Sequence, residues 1–153
     1  MDERLDAFQQ DVERRLGNVI KRAEQVLIAE KSRVLRPFEL TVPQYAALMA
    51  LSYADGMSAA QLARLSAVTP QTMSTILANL EGKGLLARQA SPLHQKVQVV
   101  TLTEVGRDVV AQADREALAV EQELAAQFTA EEQAQLRTLL ERVIAFLAAR
   151  PQR

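Results

Sequence analysis

The 153-residue sequence contains no cysteine, no tryptophan and a single histidine, His94. The lack of cysteine excludes disulfides, thiolate metal sites and thiol redox sensing within these residues. One imidazole is too few for a multi-histidine metal site or for paired histidine acid–base catalysis. No apolar run approaches the roughly 18 residues that a membrane helix requires, and the first residues lack a secretory signal pattern. We therefore expect a cytoplasmic protein without a metal or other cofactor.

Composition describes an ordinary globular chain with an uneven charge distribution. Hydrophobic residues make up 48% and charged residues 24% of the sequence, which is typical of one domain, here residues 1–153. The net charge is −1, but residues 57–102 hold four basic side chains and one acidic side chain. A basic middle between neutral and acidic flanks indicates a surface for a polyanion, although many basic stretches are only solvated surface.

Both ends of the chain carry long apolar stripes at helical spacing. The first stripe predicts one continuous helix that ends near Pro37, because the residue before a proline is steered away from helical geometry. Its members are Leu5, Phe8, Val12, Leu16, Val19, Ala23 and Val26. Thr103 is predicted to cap one further helix, and Thr129 and Glu132 have the spacing of a capping box at the start of another. Their apolar faces contain Val109, Ala113, Ala117, Val120, Leu124 and Phe128 in the first, and Leu136, Leu140, Val143 and Leu147 in the second.

Between these ends, a helix is predicted to begin at Thr41. Thr41 and Gln44 have the spacing of a capping box, and Pro43 is tolerated in the first turn of the helix. The inward face of this helix is predicted to contain Tyr45, Leu48, Met49 and Ser52.

The next segments have the order of a helix-turn-helix followed by a β-hairpin. Ser58 opens a short helix, with Gln61 at the spacing of a capping box. Residues 66–68 form a tight turn, and Thr69 caps the next helix, with a proline directly after it. Residues 85–88 and 97–102 are β-branched or alternating, which predicts a two-stranded hairpin with a polar tip. The sequence therefore predicts a mainly α protein with a small β-hairpin wing, that is, a winged helix-turn-helix.

The helix after Thr69 presents an uncharged outward face. At about 100° per residue, its buried side is centred between Met73 and Ile76, and the opposite side carries no charged group before Glu81. Such a face suits the major groove, where Gln71 can bond adenine, and the positive helix end favours a phosphate. The candidate DNA-binding residues on this helix are Thr69, Gln71, Thr72, Ser74, Thr75 and Asn79. The alternative is an ordinary exposed surface, but exposed helices usually carry Glu, Lys and Arg.

Several stretches of the sequence resemble the MarR family of bacterial transcription regulators. They include Ser58–Ala63, Leu80–Arg88 and Val99–Gly106, the last of which matches the family's leucine-threonine-x-x-glycine motif. Leu40–Gln44 is similar to the family's opening of the second helix, with Glu39 where glycine is common. The resemblance spans essentially the whole chain, and it rests on the order and spacing of these stretches rather than on any single motif.

The resemblance implies a homodimer that presents two recognition helices to a pseudo-palindromic operator. Residues 41–103 then form the winged helix-turn-helix, and residues 1–38 and 104–150 form long N- and C-terminal dimerisation helices. Two-fold symmetry places the half-sites about one helical turn apart, roughly 34 Å. The apolar stripes support a partner independently, because they exceed what the small winged module can cover.

The predicted wing departs from the family pattern at its tip. Members commonly place an aspartate, one residue and then an arginine there, and the aligned positions are His94 and Lys96. Lys96 can reach a phosphate but lacks the planar fork of arginine, and His94 is either an exposed loop residue or a pH-dependent second cation. Arg88 matches the family's arginine at the strand start and is the main candidate for a phosphate contact. Lys83 and Arg64 are secondary candidates, for which surface solubility is an equal explanation.

The resemblance also implies control by a small ligand, commonly phenolic or a carboxylated aromatic, bound between the dimerisation helices and the winged module. The lack of cysteine excludes a thiol-oxidation switch, and the single histidine argues against zinc sensing. Arg15, Asn18 and Arg22 share one face of the first predicted helix and are the candidate ligand-binding residues, since arginine beside asparagine can hold a carboxylate. The alternative is that they form ion pairs, with Asp11 and Glu24 among the partners.

We therefore predict a dimeric, sequence-specific DNA-binding transcriptional regulator that acts as a repressor. The alternative function is a winged-helix protein-interaction module that does not read DNA, which the modest positive charge and the altered wing tip leave open. An enzyme is not expected, because the sequence has no glycine-rich phosphate loop, no nucleophile–histidine–acid set and no HExxH. The paired acids Glu131 and Glu132 fall in the first turn of a helix, where the helix dipole explains them.

Overall fold

The computed structural model describes residues 3–91 and 98–150 of the chain. Within them the helices are α1 (Glu3–Arg14), α2 (Leu16–Leu35), α3 (Val42–Ser52), α4 (Ala59–Leu65), α5 (Pro70–Gly82), α6 (Glu104–Ala125) and α7 (Ala130–Ala148). The two strands are β1 (Leu86–Ala90) and β2 (Gln98–Leu102), and a short 3-10 helix (Arg36–Phe38) follows α2. The predicted mainly α fold with a small hairpin after a helix-turn-helix is therefore confirmed.

The first apolar stripe is interrupted, so the prediction of one continuous amino-terminal helix is wrong. α1 ends at Arg14 and α2 begins at Leu16. Between them, Arg15 has φ −79° and ψ 118°, which is extended rather than helical geometry. Gly17 and Asn18, both weak helix formers, follow directly. Apolar spacing does not reveal this break, because the residue that leaves the helix is a charged one outside the stripe.

α2 ends where the proline predicts, and the next turn uses a left-handed residue. Leu35 is the last residue of α2, and Arg36–Phe38 form the 3-10 turn. Glu39 then takes φ 55° and ψ 33°, a region in which a side chain costs roughly 1–2 kcal/mol. At this position the sequence has glutamate where the family commonly has glycine, so the chain adopts the glycine-type backbone without the glycine.

α3 begins with the predicted capping box, but its buried face is shifted by one residue. The Gln44 N–H donates to Thr41 Oγ1 (3.3 Å), and the Thr41 N–H donates to Gln44 Oε1 (3.0 Å). The buried residues are Gln44, Ala47, Leu48 and Leu51, whereas Tyr45 and Met49 are partly buried and Ser52 is exposed. Because α3 carries apolar residues on nearly every side, its spacing alone does not select between the two faces.

The core lies where α2 to α5, the sheet and the first half of α6 meet. Its buried side chains include Leu35, Leu40, Leu48, Leu51, Leu62, Met73, Ile76, Leu77, Leu80, Leu85, Leu86, Val100, Leu102 and Val110. Burying one such side chain stabilises the fold by about 1.5–3 kcal/mol. α5 supplies four of these residues from one side, so its position is set by the core and its other side is left to solvent.

The hairpin is attached to the helices through the base of its strands. β1 and β2 pair antiparallel, with Leu86 opposite Leu102. Met57, just before α4, extends the pairing: the Met57 N–H donates to the Val100 carbonyl (3.1 Å), and the Val100 N–H donates to the Met57 carbonyl (2.8 Å). The predicted first residue of the second strand lies outside the described residues, as does the tip of the wing.

Thr103 joins the sheet to α6. Its Oγ1 donates to the Gly84 carbonyl (2.7 Å) and accepts from the Gly106 N–H (2.9 Å). Its own N–H donates to the Leu85 carbonyl (3.1 Å). These three bonds give a physical reason for the leucine-threonine-x-x-glycine motif, in which the threonine ties the strand base to the new helix.

Contacts divide the chain into two units, with the boundary after Ala117. The second unit contains the last turns of α6 and all of α7. α7 starts with the predicted capping box, in which Thr129 Oγ1 accepts the Glu132 N–H (3.2 Å), and Gln133 Nε2 donates to the Ala125 carbonyl (2.9 Å). No residue of α7, all of which is described, is buried in the single chain. Over the described ranges, no helix is both long enough and apolar enough to cross a membrane.

Candidate nucleic-acid interface

α4 and α5 form the predicted helix-turn-helix. The Gln61 N–H donates to Ser58 Oγ (3.2 Å) and the Ser58 N–H to Gln61 Oε1 (2.8 Å), which completes a capping box at the start of α4. In the turn, Ala67 takes a left-handed φ of 51°. The next residue closes the turn, because the Val68 N–H donates to the Ala63 carbonyl (3.1 Å). The reversal lets α5 pack against α4 and the core.

α5 buries one face and exposes the other, as predicted. The buried residues are Met73, Ile76, Leu77 and Leu80. The exposed residues are Gln71, Thr72, Ser74, Thr75, Ala78 and Asn79. Glu81 is the first charged residue along this helix. The result is an uncharged exposed surface that extends over about two and a half helical turns.

The amino-terminal end of α5 is capped and open to an anion. Thr69 Oγ1 accepts the Thr72 N–H (3.1 Å) and lies 2.9 Å from the Thr72 hydroxyl. Both residues are exposed. Pro70 has no N–H, and the Thr72 N–H is used by the cap. The Gln71 N–H is therefore the first-turn donor left at the helix end, where the helix dipole favours a phosphate.

The hydroxyl groups in the middle of the face already donate within the helix. Ser74 Oγ donates to the Pro70 carbonyl (2.9 Å), and Thr75 Oγ1 donates to the Gln71 carbonyl (3.2 Å). Each hydroxyl therefore offers solvent its acceptor lone pairs, and Thr75 also offers its methyl group. Within the described ranges, the Gln71 side chain makes no hydrogen bond, so its amide keeps both donor and acceptor free.

Asn79, near the other end of this face, is tied to α3. Its Oδ1 accepts from Gln44 Nε2 (2.8 Å) across 35 positions of sequence. Gln44 is only 8% exposed, whereas Asn79 is exposed. Asn79 therefore belongs to the outward face as expected, with its oxygen held toward α3 and its amide nitrogen turned the other way.

Two of the basic side chains predicted to contact phosphates, Arg88 and Lys83, already donate hydrogen bonds within the chain. Arg88, on β1, donates from Nε to Glu81 Oε2 (3.0 Å), and the two side chains are 38% and 41% exposed. Such a solvent-screened pair is weak, so a phosphate can compete for the guanidinium. Lys83 Nζ donates to the Glu39 carbonyl, in the turn before α3. Lys96 and His94 lie outside the described residues.

The three predicted ligand-binding residues do not share one helix, because of the break at Arg15. Arg15 forms an exposed ion pair with Asp11, so the ion-pair alternative is confirmed for this residue. Asn18 is partly buried in the first turn of α2, and Arg22 is exposed one turn later. A shallow hollow of about 310 Å³ on α2 is lined by Val19, Arg22, Ala23 and Val26.

A larger cavity of about 810 Å³ opens between the end of α3, the sheet and α6. Its lining includes Met49, Tyr53, Asp55, Gln89, Thr101, Arg107, Val110 and Asp114. Arg107 Nη1 donates to the Leu102 carbonyl (3.0 Å), and Asp114 Oδ1 accepts from the Tyr45 hydroxyl (2.6 Å). Sequence reasoning missed this cavity, because its walls come from three distant elements and no single stretch carries a signal for it. Over residues 3–91 and 98–150, no three acidic or histidine side chains converge as a metal site would require.

Comparisons with known proteins agree on one family. A model of the MarR family matches residues 38–96. The HTH-type transcriptional repressor Rv2887 of Mycobacterium tuberculosis is 38% identical over 128 residues, which cover 84% of this chain and 92% of the relative. The structure of Rv2887 in complex with DNA has a TM-score of 0.65 at 36% identity, covering 84% of this chain and 97% of that chain. Its structure with p-aminosalicylic acid has a TM-score of 0.64 at 37% identity, covering 84% and 98%.

Proposed function

The chain belongs to the MarR family of transcriptional regulators, and from this premise we propose that it is a repressor whose two copies read a pseudo-palindromic operator. It is a DNA-binding regulator that responds to a ligand, not an enzyme. MarR proteins are dimeric. We place the recognition helices in successive major grooves, about one helical turn or roughly 34 Å apart.

The uncharged exposed face of α5 carries this proposal. Gln71 is the principal base-reading residue, because its free amide offers the donor and the acceptor that adenine requires. Ser74 and Thr75 offer acceptors and a methyl group to neighbouring base edges. Thr69 and Thr72, at the positive end of the helix, hold a phosphate. Duplex DNA presents both base edges and phosphates to a helix that enters its major groove.

Arg88 and Lys96 are proposed as contacts to the DNA backbone. Arg88 is exposed on β1 beside α5, and among the described residues a screened pair with Glu81 competes for its guanidinium. Lys96 belongs to the wing sequence and supplies a second cation. Contacts of this kind position a protein on the duplex without reading its sequence.

Large apolar side chains that the single chain leaves exposed supply the dimer interface. In α1 and α2 they are Leu5, Phe8, Leu16, Val19, Val26 and Ile28, and in the second unit they are Leu118, Leu124, Phe128, Leu136, Leu139, Leu140, Ile144, Phe146 and Leu147. Exposed apolar surface of this extent marks a protein contact. We accordingly assign residues 1–38 and 104–150 to dimerisation and residues 41–103 to the winged helix-turn-helix, within one domain of residues 1–153 that works in the cytoplasm.

A small aromatic carboxylate is proposed to release the operator, since the related Rv2887 has a structure with p-aminosalicylic acid. The cavity beside Arg107 is the favoured place, because its volume of about 810 Å³ lies in the range of small-molecule sites. The surface formed by Arg15, Asn18 and Arg22 is the second candidate, and the pairing of Arg15 with Asp11 weakens it.

Operator release by p-aminosalicylic acid distinguishes the two places. In the Arg107→Gln variant, we expect the acid concentration for half-release to rise about tenfold, as expected for the loss of one charged hydrogen-bond pair. The matched Arg22→Gln variant and the Arg15→Ala variant serve as comparisons. Each should raise the acid concentration for half-release by a smaller factor. A larger shift in either comparison variant would move the site to α2.

The DNA-binding proposal is tested by fluorescence anisotropy on an operator located by footprinting the DNA beside the gene. Gln71→Ala should reduce discrimination at one base position by about 1–3 kcal/mol. Arg88→Ala should weaken operator and random duplexes alike and lower the salt dependence by about one counterion per site. If the purified chain binds no duplex at low salt, the repressor proposal is wrong and the protein-interaction alternative takes its place.

A further inference from the structure

Gln44 is a buried polar side chain whose two amide atoms are both used. Its Oε1 accepts the backbone N–H of Thr41 (3.0 Å), and its Nε2 donates to Asn79 Oδ1 (2.8 Å). It is 8% exposed. The first bond belongs to the capping box of α3, whereas the second reaches the recognition helix and has no role in capping.

The direction of these bonds follows from the backbone. A peptide N–H only donates, so the Gln44 amide must turn its oxygen toward Thr41. Its nitrogen then faces Asn79 and only donates, so Asn79 must turn its own oxygen inward. The inward oxygen leaves the Asn79 nitrogen, with its hydrogens, on the exposed side of α5. The backbone of residue 41 thus decides which atom of Asn79 points away from the protein.

With its oxygen held toward Gln44, Asn79 cannot turn both amide atoms to one base edge, and the bidentate contact with adenine requires the oxygen and the nitrogen together. It can donate to an acceptor such as a phosphate oxygen. Asn79 also lies toward the carboxyl end of α5, whereas recognition helices contact bases mainly with their amino-terminal residues. Both observations favour the DNA backbone as its partner.

We propose that Gln44 is a positioning residue that holds Asn79 as a hydrogen-bond donor to a phosphate of the operator. The inference rests on the proposed function, since it requires α5 to be the DNA-binding helix. Gln44 itself touches no DNA, and it acts by fixing which way the Asn79 amide is turned.

Two substitutions of Gln44 separate positioning from simple support of the fold. In Gln44→Glu, the new carboxylate still accepts the Thr41 N–H, because glutamate is a standard residue of the capping box. It cannot donate, so the Asn79 amide turns over and presents its oxygen to the phosphate. In Gln44→Met, the capping bond is lost, but Asn79 is free to turn its nitrogen outward.

The proposal predicts losses of operator affinity that do not follow the losses of stability. Urea unfolding measures stability, in which the retained capping bond of Gln44→Glu is set against the cost of burying its carboxylate. Operator affinity should fall about tenfold in Gln44→Glu, as for a lost hydrogen bond to a charged group, and by a smaller factor in Gln44→Met. If Gln44→Met loses as much affinity as Gln44→Glu, or more, Gln44 only supports the fold and the proposal is overturned.

The negative charge introduced by Gln44→Glu also weakens DNA binding by itself. Gln44→Glu is therefore also made in an Asn79→Ala background. There only the charge effect remains, and the loss of affinity should be several times smaller than in the native background. Equal losses in both backgrounds would overturn the proposal. Asn79→Ala alone should weaken operator and random duplexes alike without changing the salt slope, since a neutral amide releases no counterion.

Gln71→Ala distinguishes failure of this inference from failure of the proposed function. If Gln71→Ala reduces base discrimination while Asn79→Ala has no effect, α5 reads DNA and only the role of Gln44 and Asn79 is wrong. If neither variant changes operator binding, α5 is not the DNA-binding helix, and both proposals fall.

Discussion

Replacing Gly106 by alanine disturbs the joint between the wing and α6. A Cβ atom at this position would lie 2.0 Å from the carbonyl oxygen of Leu85 and 3.0 Å from its carbonyl carbon. Both groups are held by the backbone, so no side-chain rotation relieves the contact. Real Cβ contacts are essentially never closer than 3.0 Å, and the two segments must therefore move apart by about 1 Å.

The same Leu85 carbonyl accepts the Thr103 N–H (3.1 Å), and Thr103 Oγ1 also bonds Gly84 (2.7 Å) and Gly106 (2.9 Å). Overpacking alone costs about 1–3 kcal/mol, and a weakened hydrogen bond adds about 1 kcal/mol. We expect Gly106→Ala to lower the free energy of unfolding by about 2–4 kcal/mol, a large share of the roughly 5–15 kcal/mol that stabilises a typical domain.

Urea unfolding followed by circular dichroism measures this loss, at one fixed protein concentration because the stability of a dimer depends on it. Gly82→Ala is the matched control. Gly82 is also a helical glycine, but a Cβ there meets nothing within 4 Å in the part of the chain that the structure describes. Alanine should leave stability unchanged or raise it by up to about 1 kcal/mol. A loss below about 0.5 kcal/mol for Gly106→Ala, or an equal loss in both variants, would refute the close-approach explanation.

Three further changes test other parts of the molecule. Ala67→Gly should raise the free energy of unfolding by about 0.5–1 kcal/mol, because glycine adopts the observed φ of 51° without a steric penalty; a loss in urea unfolding would contradict that geometry. Glu81→Gln should raise the affinity for operator and random duplexes by the same few-fold factor, because it releases Arg88 and removes a negative charge; unchanged anisotropy titrations would show that Arg88 does not contact DNA. Tyr45→Phe removes the 2.6 Å hydrogen bond to the α6 carboxylate and should cost about 1–2 kcal/mol of stability. Tyr53→Phe, at a position that is 83% exposed, should cost nothing, and equal effects of the two variants would argue against the bond.

Features that form within one helical turn could be predicted from the residues alone. The capping boxes at Thr41, Ser58 and Thr129 and the N-cap at Thr69 all occur as expected. Each is a hydrogen bond between residues three positions apart, so neighbouring residue types suffice to specify it. The uncharged outward face of α5 is equally local, because it follows from apolar spacing and helix geometry.

Features that join distant segments could not be predicted in this way. The bond between Gln44 and Asn79 spans 35 positions, and the one between Tyr45 and Asp114 spans 69. The break at Arg15 was missed for a related reason, since apolar periodicity reports on a helix face and says nothing of one charged residue outside it. The cavity between α3, the sheet and α6 exists only once all three are assembled.

The sequence by itself determined the kind of module, which has two capped helices around a tight turn and a hairpin after them. It also determined long helices with apolar faces, which a second copy of the chain can bury. The tertiary structure decided which atoms of that module stay open to DNA. Among residues 3–91 and 98–150, it engages the oxygen of Asn79, pairs Arg88 with Glu81 and leaves the amide of Gln71 free. The physical reason is that a hydrogen bond or ion pair requires two groups within about 3 Å, and for residues far apart along the chain only folding brings them that close.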